Sequence, residues 1–244
     1  MPDRLPGRAI KNKRVVSNYF GTIFTSWKTL LADKIFRRQV IITLLIYGFL
    51  FKYCRVVMTQ LEIRKGTRVV DPLLSYITPH DLSPLTFSLT YIALALFISS
   101  GLIRPKTFII ALQAYCLLII MRTISIYMVP LEPPAGMILL KDPVTYFFMS
   151  TPSGDYIVKD LFFSGHVSTI VLFGLSSQQA FVKRGLLFLA LLVGSLILVQ
   201  HVHYTIDVIA APLFSFIAYK ASAELDKFLY KSNQSFSLEE NQNF

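Results

Sequence analysis

Cysteine is nearly absent. The 244 residues hold two, Cys54 and Cys116, and both fall within apolar runs, so they read as small core residues and not as a disulfide or a metal site. Charged residues are scarce as well, at 16% of the chain, while 54% is hydrophobic and the mean hydropathy is +0.56. A soluble domain is about 45–50% apolar, so a globular soluble enzyme is excluded. Acid is the rarer sign: 14 Asp and Glu against 24 Lys and Arg give a net charge of +10. The basic residues lie beside the apolar runs, so loop asymmetry and anionic headgroups account for the excess, and no nucleic-acid partner is expected. No cleavable signal is expected, because the first apolar run begins after residue 38. Histidine is limited to His80, His166, His201 and His203. None of them shows metal-ligand spacing, so neither a metal nor another cofactor is expected, and activity should depend little on divalent cations.

What the chain does have is long apolar runs. A membrane crossing needs about 20 mostly apolar residues. Six spans are expected, roughly Val40–Met58, Leu85–Ile103, Thr107–Met128, Phe162–Phe181, Gly185–Gln200 and Thr205–Ala221. The fold expected is therefore all-α, a polytopic six-helix membrane bundle. Before it, residues 1–38 form a basic segment whose first fifteen or so residues read as disordered. From Tyr19 to Ile35, Phe20, Ile23, Phe24, Trp27, Leu30 and Leu31 recur at helical spacing, as in an amphipathic interfacial helix. Residues 39–221 make the membrane domain, and 222–244 read as a polar, fraying tail.

The basic residues orient this bundle. The first 38 residues, Arg104 with Lys106, Lys183 with Arg184, and Lys220, Lys227 and Lys231 mark one side, taken as cytoplasmic, with both termini there. The opposite loops, 61–84 and 129–160, are rich in proline. Apolar pieces of the second, Met137–Leu140 and Val144–Met149, are too short to cross and can border an entry for lipid.

Under that orientation His166 opens the fourth span from outside, His203 closes the fifth and Asp207 opens the sixth. Three residues chosen for their chemistry thus share the outer boundary. His203 and Asp207 are four apart, hence on one helix face one turn apart. A carboxylate there can take the Nδ1 proton, fix the tautomer and favour charge on the ring. The opposite nitrogen, Nε2, is then free to attack phosphorus, with His166 supplying the complementary proton transfer. For each residue alone, an interfacial helix end is the alternative.

These stretches resemble a known family. Asp160-Leu-Phe-Phe-Ser-Gly-His166 resembles the Asp-Tyr-Leu-Phe-Ser-Gly-His motif of the sphingomyelin synthase-like branch of the phosphatidic acid phosphatase type 2 superfamily. His201-Val-His-Tyr-Thr-Ile-Asp207-Val resembles its His-Asp-His-Tyr-Thr-Val-Asp-Val motif, and Arg122-Thr-Ile-Ser-Ile-Tyr127 its Arg-Cys-Ile-Thr-Met-Tyr segment. Asp71-Pro72 faintly resembles another loop of that branch. The resemblance implies a catalytic triad of His166, His203 and Asp207. It also implies transfer of a phospho-headgroup from a membrane phospholipid to a ceramide-like lipid alcohol through a phospho-histidine, on the non-cytoplasmic leaflet. That leaflet faces the periplasm in a bacterium, or the Golgi lumen or cell surface in a eukaryote. The phosphatases of the wider superfamily carry an Arg six residues before the nucleophilic His, where this chain has Ile197, and a Lys-x₆-Arg-Pro motif, which it lacks. This departure favours transfer. Hydrolysis of a lipid phosphate by the same site, and a lipid-binding scaffold without activity, are the alternatives.

Further residues are candidates for substrate contact. Arg122, inside a span, is expected to meet the substrate phosphate or Glu132, or else to anchor at the interface. Ser164 beside the Gly165 amide can hold a phosphate oxygen or cap a helix. Asp160 suits the start of a helix or a supporting role at the site. Tyr127 and Tyr204 are candidate substrate contacts or interfacial aromatics. His201 is expected at the interface or behind the site, and His80 in a loop.

Overall fold

A computed structural model describes residues 7–141 and 157–242. The Val144–Met149 piece considered above lies outside them. The described residues form seven α-helices: α1 Gly7–Ala32, α2 Lys34–Ile63, α3 Ser83–Gly101, α4 Pro105–Met128, α5 Gly165–Ser176, α6 Ala180–Val199 and α7 Thr205–Gln242. A 3₁₀ turn at Leu74–Tyr76 lies between α2 and α3, and no strand occurs among the described residues. The fold is all-α, as expected.

Five helices (α2, α3, α4, α6 and the Thr205–Lys231 part of α7) are long and apolar enough to cross a membrane. The expected fourth span differs. Its helix, α5, has 12 residues and so reaches only about 18 Å at 1.5 Å per residue, short of a hydrocarbon core of about 30 Å. The reason is local. Leu161–Ser164 is not helical, and the Ser176–Ser177 end passes through a short break into α6, which begins at Ala180 and takes Phe181 with it. Both ends of the chain are more helical than expected. Helix α1 begins at Gly7 and stops at Ala32, where Asp33 starts α2 by accepting from the Ile35 amide at 2.8 Å. Helix α7 runs through Ala221 to Gln242 without a break.

The core is where the short helix lies. Val167, Ile170, Leu172 and Phe173 of α5 pack with Leu186, Val193 and Ile197 of α6, Ala211 and Ala218 of α7, and Ala111, Ala114 and Leu118 of α4. Small residues allow the closest approach. A Cβ on Gly194 of α6 would lie 3.1 Å from the Val208 side chain of α7. Helix α2 lies outermost, with Ile41, Leu44, Leu45 and Phe49 exposed. A continuous apolar surface of this kind is stable only against lipid or a partner.

The end of the bundle that carries the basic loops is tied by a polar knot. Buried Asp226 of α7 accepts from the Gln39 amide at 2.9 Å and lies 3.3 Å from Lys106 Nζ. The Lys106 ammonium sits 3.8 Å from the Tyr230 ring centre, and the Tyr230 hydroxyl donates to Asp33 at 3.3 Å. Helix α1 joins through Trp27, whose Nε1 donates to the Leu102 carbonyl at 2.9 Å and whose ring meets Phe36 and Phe108 edge-on. Its Phe20 and Phe24 stay exposed. Removing the buried partner of such a pair is costly because the amide and ammonium lose their acceptor together. Asp226→Leu is therefore expected to lower the melting temperature in detergent micelles more than Lys106→Met, whose side chain is half exposed. Thermal scans of the two variants check this ordering.

Candidate active site

At the other end of the bundle the chain turns from α6 into α7 within a few residues, and that turn sets the site. The Val202 amide donates to the Ile197 carbonyl and the His201 amide to the Leu198 carbonyl, each at 3.0 Å. This is a Schellman closure with His201 in the left-handed position, φ 56°, where glycine is usual. A non-glycine there costs about 1–2 kcal/mol. The ring of His201 offsets this strain. It is buried, with Nδ1 2.9 Å from the Ala135 carbonyl and Nε2 3.0 Å from the Ile77 carbonyl. His201 therefore joins two loops behind the site, and His80 lies exposed in one of them.

The turn delivers His203 and Asp207 together. Asp207 stands in the first turn of α7, and its Oδ2 accepts from the Tyr204 amide at 3.0 Å, which is half of a capping box. The same oxygen lies 3.3 Å from His203 Nδ1. Both side chains are buried, at 3% and 0% exposure. Imidazole and carboxylate are thus paired out of water, with Nδ1 on the carboxylate side. Asp207 Oδ1 has no hydrogen-bond partner among the described residues.

Helix α5 brings the second imidazole. The Ser164 amide donates to the Asp207 carbonyl at 3.1 Å, so the start of α5 is fixed to the first turn of α7. Ser164 occupies the cap position, but its hydroxyl does not cap the helix. Its Oγ is buried and without a partner among the described residues. His166 follows one residue into the helix, with its ring 5.9 Å from that of Phe87.

Arg122 of α4 completes the group. Its Nη2 donates to the Asp160 carbonyl at 2.9 Å and lies 2.8 Å from Asp160 Oδ1. The expected alternative partner, Glu132, is instead paired with Lys159 at 2.8 Å. Gly165 makes room for the guanidinium: a Cβ there would lie 3.1 Å from Arg122 Cζ. Arg122 Nη1 is buried without a partner among the described residues. Burial alone would raise the Asp160 carboxyl, but the Arg122 guanidinium outweighs it, and His203 and His166 add to the same side, so the carboxyl is held below its ordinary value. Its exposed area faces the cavity described next and not bulk solvent.

These groups surround a cavity of about 460 Å³. Arg122, Asp160, Gly165, His166 and His203 line its polar end, and Leu50, Phe51, Met58, Tyr91, Leu118 and Ile119 line its apolar remainder between α2, α3 and α4. Helix α5 begins at the polar end, at Gly165, so its positive dipole end adds to the Arg122 charge. The cavity thus joins two imidazoles and a guanidinium at one end to an apolar space at the other.

Three of the candidates for substrate contact do not line the cavity: Ser164, which is fully buried, and two tyrosines. Tyr127 is exposed at 63%, its ring 5.1 Å from the Arg64 guanidinium and its carbonyl accepting from Arg64. Tyr204 is buried, and its hydroxyl donates to the Glu132 carbonyl at 2.8 Å and accepts from the Val69 amide at 3.2 Å. It braces the loops above the site and does not line the cavity.

The same loops hold residues that sequence reasoning passed over. Glu62 accepts from the Val158 and Lys159 amides. Gln200 donates to Ser83 Oγ at 2.8 Å and accepts from the Leu82 amide at 3.2 Å. Asp71 accepts from the Thr205 amide and hydroxyl. Gly66 approaches the Leu131 backbone so closely that a Cβ would lie 2.6 Å away. Of these, only Asp71, in the Asp71-Pro72 pair, was marked in the sequence, by its faint resemblance to a family loop.

The loop carboxyls titrate low. Glu132 is lowered by the Lys159 ammonium hydrogen bond and then by the Gly66 amide. At Asp71 burial opposes, but the Thr205, Leu74 and Leu73 donors prevail and lower it. A carboxyl depressed in the folded state contributes stability that is complete above its ordinary value, 3.8 for Asp and 4.5 for Glu, and is lost as pH falls through the depressed value. The melting temperature of the wild type is therefore expected to fall on acidification below about pH 4.5, and Glu132→Gln to show a shallower fall than the wild type. Parallel thermal scans from pH 7 to pH 3 measure both.

No curated protein matches the chain. Residues 159–223, which carry Asp160, His166, His203 and Asp207, match the family model described as PAP2 superfamily C-terminal. The chain is thus similar to the PAP2 superfamily over that C-terminal segment, and its described residues hold five helices long and apolar enough to cross a membrane.

Proposed function

We propose that the protein is a membrane lipid phosphotransferase that moves a phospho-headgroup from a glycerophospholipid to a ceramide-like lipid alcohol, with His203 as nucleophile. The observation that carries this reading is the cavity itself. One polar end holds a buried, carboxylate-paired imidazole, a second imidazole and an unpartnered guanidinium nitrogen, and it continues directly into an apolar space between helices.

In the first step His203 Nε2 attacks phosphorus and the bond to the lipid alkoxide breaks. The leaving oxygen takes a proton from protonated His166, and the diacylglycerol departs. His203 then carries the phospho-headgroup on Nε2 while Nδ1–H donates to Asp207, whose negative charge offsets the positive charge of the ring. In the second step neutral His166 takes the proton of the lipid alcohol, whose oxygen attacks phosphorus as the bond to Nε2 breaks. Both imidazoles return to their starting states. Arg122 Nη1 and the Gly165 amide would hold the equatorial oxygens, on which charge builds in the transition state. Asp160 keeps Arg122 aimed at the cavity.

The apolar wall favours a lipid acceptor over water, since a hydroxyl carried on an acyl chain is concentrated there and bulk water is not. The Lys and Arg distribution supports both termini in the cytoplasm and the site on the extracytoplasmic side. In that orientation α5, opened by Gly165 and His166 at the outer boundary, would be the sixth crossing.

The test uses purified enzyme in mixed micelles with labelled phosphatidylcholine or phosphatidylethanolamine, with and without ceramide, and lipid chromatography as the readout. Labelled headgroup should move to ceramide, and little free phospho-headgroup should form without it. His203→Ala should remove turnover and leave the melting temperature within a few degrees. Asp207→Asn should lower kcat by about 10³–10⁴-fold, by analogy with removal of the orienting carboxylate in other imidazole-dependent sites. Release of free phospho-headgroup at the same rate with and without ceramide would make the protein a hydrolase instead, and wild-type turnover by His203→Ala would refute the site.

A further inference from the structure

The first turn of α7 carries Asp207, and its amide groups need acceptors that the helix cannot supply. The residue in the cap position is Tyr204, whose side chain has no oxygen able to reach back to them. The acceptor comes instead from a distant loop. Asp71 Oδ2 accepts from the Thr205 amide at 2.6 Å, and Asp71 Oδ1 accepts from the Thr205 hydroxyl at 3.0 Å. The same Oδ1 accepts from the Leu73 amide at 3.0 Å and the Leu74 amide at 3.3 Å. One carboxylate thus closes its own turn and caps, from another part of the chain, the helix on which Asp207 stands.

We propose that Asp71 is a positioning residue for phosphoryl transfer, one that sets the angle of the α7 first turn so that Asp207 keeps His203 in its reactive orientation. The inference rests on the phosphotransferase reading above. It follows from how little tolerance the pair has. Asp207 Oδ2 is already divided between the Tyr204 amide at 3.0 Å and His203 Nδ1 at 3.3 Å. A small rotation of the turn would keep the first bond, which lies within the turn, and lose the second, which spans the turn and the preceding loop. The loop that Asp71 closes also braces Tyr204 directly: the Val69 amide, two residues before Asp71, donates to the Tyr204 hydroxyl. Asp71 does not line the cavity, so its contribution would reach the substrate only through Asp207 and His203.

This predicts a pattern that a merely structural turn residue would not give. In the wild-type background Asp71→Asn, which places an amide donor against the Thr205 donors, should lower kcat by about tenfold with KM unchanged. That factor corresponds to about 1.4 kcal/mol in the barrier. In the Asp207→Asn background the same substitution should change kcat by less than about twofold, because the orientation it protects is already lost. Thr205→Val, which removes only the hydroxyl bond, should show the same non-additivity on a smaller scale and serves if Asp71→Asn does not fold. Equal losses of kcat in both backgrounds, or a rise in KM with kcat unchanged, would overturn the role of Asp71 and leave the phosphotransferase reading intact. Wild-type kcat in Asp207→Asn alone would overturn both.

Discussion

The fold at the chemical end depends on one shared oxygen. Asp207 Oδ2 holds the Tyr204 amide, which starts a helix, and faces His203 Nδ1, which fixes the ring. A residue that both begins the helix and orients the imidazole cannot shift for one purpose without affecting the other. The surrounding architecture reads as protection of that coupling. The Schellman closure brings the chain out of α6, the His201 ring holds two loops against the strained turn, and the Ser164 amide fastens α5 to the Asp207 carbonyl.

A second constraint is the charge of Arg122 within an apolar bundle. Its guanidinium is 12% exposed and has one carboxylate beside it, Asp160. Close passage over Gly165 places it at the start of α5, and the remaining nitrogen is left for a further acceptor. A buried donor without an acceptor costs about 1–3 kcal/mol. An anion that binds there recovers this cost. At the opposite end of the bundle Asp226 pairs with Lys106 and Gln39, and Lys106 with the Tyr230 ring, contacts that bear on stability and not chemistry.

Much of this was legible in the residues because it is local. The i, i+4 spacing put His203 beside Asp207 before any coordinates, although His203 lies in the turn before α7 and not on the helix face expected, and apolar run lengths located α2, α3, α4, α6 and α7. What escaped depends on tertiary contact. The motif around Asp160 reads as part of a span, yet Leu161–Ser164 leaves the helix to bring Asp160 to Arg122, which shortens α5 to 12 residues. Arg122 was matched to Asp160 and not to Glu132 because Lys159 takes Glu132 from the other side. Tyr127 and Tyr204 carry no sequence signal for which way they face, and one packs on Arg64 while the other braces the loops. Asp71 and Thr205 are 134 residues apart, a separation that no pattern in a single chain reveals.

The account turns on a covalent phosphoryl group carried by one ring. The direct measurement is to mix enzyme with a phospholipid donor in the absence of acceptor, quench in alkali, and locate the donor's phospho-headgroup by peptide mass spectrometry. An alkali-stable, acid-labile phospho-headgroup adduct on His203 is expected, discharged when ceramide is added and absent from His203→Ala. The adduct on His166, or headgroup transfer at full rate with no modified peptide at any time, would contradict it.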